Sequence, residues 1–116
     1  MKIIRYSKKC RSVLKSSKDG WRYKVLRVLD LTSECKKETP GNVFLVYLKD
    51  QGGRMLVEII EGYESAESGA SHLFYFINNL ESEVNNPGSC FPSWARGFGL
   101  TDQKLYEIIM TNAPSS

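Results

Sequence analysis

The chain has 116 residues, of which 41% are hydrophobic and 25% charged, and its formal net charge is +3. That length suits one domain with one modest core, and the balance is globular rather than disordered. The longest apolar runs, residues 43–48 and 73–77, fall far short of the roughly 20 residues a bilayer-spanning helix needs, so no membrane role is expected.

Residues 2–6 read as a short strand. The pattern over residues 7–18 is ambiguous. Cys10, Val13 and Leu14 fit a helix face at i, i+3, i+4, while the serines and the short length also admit strand or loop. Asp19-Gly20 marks a turn, and a strand follows over residues 21–31. Its first half alternates, with Trp21, Tyr23 and Val25 on one face and Arg22 and Lys24 on the other. The alternation blurs after Leu26, as in a strand passing from partly exposed to fully buried.

Residues 32–42 form a polar loop. Residues 43–48 are apolar on both faces and read as a central strand. Asp50-Gln51-Gly52-Gly53 then turns the chain, and residues 55–60 return antiparallel beside it. Ala70, Leu73, Phe74, Phe76, Ile77, Leu80 and Val84 share one face at helical spacing, which predicts a helix ending at Asn85-Asn86-Pro87-Gly88. Ser65, Ser68 and Ser71 are its candidate N-caps, and Glu61, Glu64 and Glu67 lie where acidic residues favour a helix start. Residues 85–100 follow as a long loop rich in Gly, Pro and rings. A final helix begins at Thr101, carries Asp102 in its first turn, buries Leu105, Ile108 and Ile109, and ends by Asn112.

These elements predict a single compact α+β domain over residues 1–116: an antiparallel sheet of three to five strands with two helices packed on one face. The expected core holds Val25, Val28, Phe44, Val46, Leu56, Val57, Leu73, Ile77, Leu80, Leu105 and Ile109.

Charge is distributed unevenly along this chain. Residues 1–40 hold twelve Lys and Arg against four Asp and Glu, a surplus of eight positive charges. Residues 41–84 hold two basic residues, Lys49 and Arg54, against seven acidic ones. Arg5, Lys8, Lys9, Arg11, Lys15, Lys18, Arg22 and Lys24 crowd into the first third, interleaved with Tyr6, Trp21 and Tyr23. Positive charge meets phosphate or carboxylate, and rings stack on bases, so an acidic protein surface and nucleic acid are both candidate partners. The same charge would also be explained by a solvated face, or by pairing with the acidic 58–67 segment. No helix-turn-helix, zinc-finger or RNP motif is present.

The second candidate surface is the 85–100 loop. Phe91, Trp94 and Phe98 can pack it onto the sheet, while Trp94 and Arg96 are residue types that often anchor interfaces. Gly97-Phe98-Gly99 is too short to cradle a phosphate. His72, the single histidine, falls on the polar side of its predicted helix. Cys10, Cys35 and Cys90 are odd in number and widely spaced, and no Cys-x₂-Cys pair suggests zinc. Free thiols, no cofactor and a cytoplasmic setting, in the producing cell or in a host, are therefore expected. Glu58, Glu61, Glu64 and Glu67 recur every third residue across a strand end and a helix start, which reads as a solvated acidic rim. Without a nucleophile–base signature, the reading is a non-enzymatic interaction protein, an inhibitor or immunity-type module that occupies a partner's surface. Its partner-binding residues would be Arg5, Lys8, Lys9, Arg11, Lys15, Arg22, Lys24, Trp94 and Arg96. The alternative is a nucleic-acid-binding accessory protein that uses the basic third.

Overall fold

A strand that is apolar at every position can be buried only if both its faces are covered, and residues 43–48 meet that condition. They lie within β3 (Asn42–Lys49), the middle strand of a five-stranded sheet. The computed structural model describes residues 2–4, 23–35, 42–63, 74–89, 91, 96–97 and 99–115. Its other strands are β1 (Lys2–Ile4), β2 (Lys24–Asp30), β4 (Met55–Tyr63) and β5 (Phe74–Phe76). Each strand pairs antiparallel with its neighbour in sequence, so the sheet is an uninterrupted meander. Among the described residues two helices have both ends defined, α1 (Leu80–Asn85) and α2 (Asp102–Thr111), and Phe91, Arg96 and Gly97 are helical as well, within the segment expected to be a loop. The α+β architecture predicted above is therefore the one observed.

The β3–β4 hairpin is built as its sequence implies. Asp50 N–H donates to the Arg54 carbonyl at 2.9 Å and the Gly53 N–H donates to the Asp50 carbonyl at 3.1 Å. Gly53 has φ of +83°, the left-handed geometry that glycine adopts without steric cost. The ladder of β2 against β3 shifts register between Val25 and Arg27, which leaves Leu26 as the extra residue of a β-bulge. The bulge falls where the alternation blurs, and the strand is buried just beyond it, at Val28 and Leu29, as expected. At the far end Thr32 locks the β2–β3 corner. Its hydroxyl donates to Asp30 Oδ1 at 2.6 Å and accepts from Val43 N–H at 3.0 Å.

Alternate residues in the middle of β3 and β4 face the helices. Val43, Leu45, Tyr47, Val57 and Ile59 join Leu29 and Leu31 in one buried cluster. Leu80 of α1 and Leu105, Ile108 and Ile109 of α2 close over them, together with Phe91 and Leu100. The opposite face is buried too: Val28, Phe44, Val46, Leu48 and Leu56 are each at most 3% exposed, and none belongs to the cluster under the helices. Of the expected core, Val25 and Ile77 are only half-buried, and Leu73 lies outside the described residues.

Two expectations are corrected. Of the helix predicted over residues 70–84, residues 74–84 are instead a strand, a 3-10 turn (Ile77–Asn79) and most of the six-residue α1, and residues 70–73 lie outside the described residues. Phe74, Tyr75 and Phe76 pair with Glu58, Val57 and Leu56. Aromatic residues favour strands over helices, and the edge of β4 offers them a ladder. Ile77, Leu80 and Val84 keep the helical spacing toward the core. The second correction is Glu58, assigned above to a solvated rim. It is 2% exposed, because it sits mid-strand on the second buried face, opposite Val46.

Candidate functional site

The sheet has two chemically different ends. At one, Lys24 begins β2, Lys49 ends β3, and the 50–54 turn leads into β4. Lys24 and Lys49 are Cα partners in the ladder. Lys24 is exposed and Lys49 half-buried. Asp50 is taken by the turn: its carboxylate accepts from Arg54 N–H at 2.8 Å and from Arg54 Nε at 2.9 Å. The backbone N–H of Arg54 holds the Asp50 carboxyl below the usual carboxylate range; burial opposes it, and the Arg54 guanidinium adds to the lowering.

At the other end the Thr32–Glu34 turn meets the start of α2. Ser33, Glu34, Gly99, Leu100, Thr101 and Lys104 line an open cleft of about 460 Å³. Thr101 caps α2 by accepting from Lys104 N–H at 3.1 Å. Glu34 and Lys104 give this cleft one charge of each sign. Between the helices, Glu81, Val84, Asn85, Gln103 and Tyr106 border a smaller notch of about 80 Å³.

One described residue of each candidate surface falls at each of these ends. Lys24 stands at the 50–54 turn. Arg96 is exposed beside the cleft, where Gly99, with φ of +74°, donates its N–H to the Arg96 carbonyl at 3.1 Å. Arg5, Lys8, Lys9, Arg11, Lys15, Arg22 and Trp94 lie outside the described residues, as do Cys10, His72, Cys90 and Phe98. Phe91 is fully buried and pins the first part of the 85–100 segment to the core. Its backbone N–H donates to Ser89 Oγ at 3.1 Å, and Ser89 in turn donates to Glu83 at 2.6 Å.

Arg27 belongs to the same basic third but has a structural task. Its guanidinium donates to the Asn112 carbonyl at 2.7 Å, at the end of α2. Tyr47 donates its hydroxyl to the Ile109 carbonyl at 2.6 Å, and burial pushes its phenol well above the ordinary range. Among the described residues Cys35 forms no disulfide, and no group of three or more His, Cys, Asp or Glu converges as a metal site. No described helix is long and apolar enough to cross a membrane.

Sequence reasoning placed Lys49 and Arg54 in no site. The signal was present in their being the two basic residues of an otherwise acidic stretch, but only strand register shows where they lie. No family model matches the sequence, and no curated protein or solved structure is similar to it.

Proposed function

We propose that this chain is a non-enzymatic interaction protein that binds an acidic surface of a macromolecular partner and blocks it, as an inhibitor or immunity-type module does. The observation that carries the reading is the surplus of eight positive charges within residues 1–40. That basic stretch runs directly into exposed Lys24, at the end of a sheet buried on both faces. A surface with a surplus of positive charge steers an oppositely charged partner toward it. Arg5, Lys8, Lys9, Arg11, Lys15, Arg22 and Lys24 would form the electrostatic contact, with Trp94 and Arg96 as a second anchor. Nucleic acid is the rival partner, favoured by the interleaving of Tyr6, Trp21 and Tyr23 with these cations.

The test is affinity capture from a lysate of the source cell, with and without nuclease, using wild type and a Lys8→Glu, Lys9→Glu, Arg11→Glu variant. The reading expects one protein to be retained after nuclease, and to be lost from the variant while its melting temperature stays unchanged. Retention that disappears on nuclease treatment transfers the function to nucleic acid. Unchanged capture by a variant that melts earlier assigns the basic residues to internal charge pairing.

A further inference from the structure

Residues 41–84 contain two basic side chains among seven acidic ones, and both lie at the end of the sheet where the basic third joins β2. Lys49 closes β3 and Arg54 immediately precedes β4. Register makes Lys24 and Lys49 direct cross-strand partners, with Cα atoms about 5 Å apart in such a pair and side chains on one face. Like charges directly opposite each other destabilise a sheet.

Nothing among the described residues offsets that repulsion. Lys24 and Lys49 make no ion pair or side-chain hydrogen bond there. The nearest carboxylate in sequence, Asp50, holds Arg54 instead. The stem of Lys49 runs along the turn, since a Cβ built on Gly53 would meet its Cε at 3.9 Å. Two lysines opposite each other on adjacent strands can offer both their cations as a seat for one anion.

We propose that Lys24 and Lys49 together receive a carboxylate of an acidic protein segment, extending the partner-binding surface from the basic third onto β3. The proposal rests on the functional reading above and names one built part of that surface. The Asp50–Arg54 pair on the rim decides between anions. Interlaced charges match a protein surface, which carries both signs, whereas Asp50 would repel a continuous phosphate backbone.

The experiment titrates full-length chain into a fluorescent ten-residue oligoglutamate peptide and, separately, a ten-nucleotide oligothymidylate, at low salt, by anisotropy. Lys24→Gln and Lys49→Gln should each weaken oligoglutamate binding by about fivefold, the scale of one exposed ion pair. Both variants should melt no earlier than wild type, because each removes a repulsion. Lys49→Arg should keep the affinity. Lys104→Gln, an exposed lysine at the other end of the molecule, should change it by less than about twofold. If Lys24→Gln and Lys49→Gln bind no worse than Lys104→Gln, the seat is overturned while the functional reading stands. If Lys49→Gln loses affinity only together with melting temperature, Lys49 is a turn support and the seat is again overturned. Wild type that binds neither probe, or only the oligothymidylate, overturns the seat and the functional reading together.

Discussion

Residues 74–84 and 101–112 carry the same helical spacing of apolar side chains, yet only the second stretch is one helix. In α2, Leu105, Ile108 and Ile109 are buried at i, i+3, i+4, and both ends are tied down. Thr101 caps the start; at the other end Asn112 Nδ2, Tyr47 and Arg27 donate to the carbonyls of Ile108, Ile109 and Asn112. The earlier stretch lacks the first of these ties, although Asn85 Nδ2 donates to the Glu81 carbonyl at 2.9 Å near its end. Asn79, at the start of α1, makes no side-chain capping bond, and Phe74–Phe76 lie against an edge of β4 that pairs with them. Apolar period thus identifies which side chains turn inward, while end chemistry and neighbouring strands select the element.

The sharpest way to test that contrast is to truncate one leucine in each helix. Leu80 and Leu105 are both fully buried in the same cluster, so Leu80→Ala and Leu105→Ala should each cost about 2 to 5 kcal/mol in urea unfolding. A Leu80→Ala cost below about 1 kcal/mol would show that the short α1 does not share the core as α2 does.

Next comes the tie between sheet and helix. Tyr47→Phe should cost about 1 to 3 kcal/mol by leaving the Ile109 carbonyl without its donor. It should also change the alkaline limb. The folded phenol titrates above the ordinary value, so its contribution is fully present below about pH 10 and is lost as pH rises toward the folded value. Wild type should therefore lose stability above that pH more steeply than Tyr47→Phe. Parallel alkaline limbs would remove Tyr47 as the cause.

The caps should separate by a smaller margin. Thr101→Ala should cost about 1 kcal/mol, and Asn79→Ala should stay within about 0.5 kcal/mol of wild type. Equal losses in thermal melts would mean that capping does not distinguish the two helices.

The smallest effect belongs to the turn. The folded Asp50 carboxyl titrates below its ordinary value, so its contribution is present above about pH 4 and is lost as pH falls through the lower folded value. Asp50→Asn should flatten that part of the acid limb and leave stability at neutral pH nearly unchanged, since Asp50 and Arg54 meet at the surface. An unaltered acid limb would show that the turn holds without its ion pair.

Much of this fold was legible in the chain. The β3–β4 hairpin, its glycine turn, the Thr101 cap and the three buried residues of α2 all follow from local chemistry: glycine's access to positive φ, a hydroxyl before an apolar run, and spacing. The candidate site was half legible. Charge counting selected the basic third and noted Lys49 and Arg54, but nothing local shows that Lys49 faces Lys24. That pairing depends on the Leu26 bulge, which shifts the register of β2 by one residue and changes which side chains meet on the ladder.

Sequence alone therefore determined the fold class, the central hairpin, the last helix and the separation of charge along the chain, because each rests on contacts or counts within a few residues. Tertiary structure alone decided that residues 74–76 add a strand, that Glu58 is buried and that Lys24 stands against Lys49. Each of these depends on residues distant in sequence: an open ladder on β4, a second covered face, and the register between two strands. Non-local pairing can outweigh local propensity by an amount that spacing along the chain does not encode.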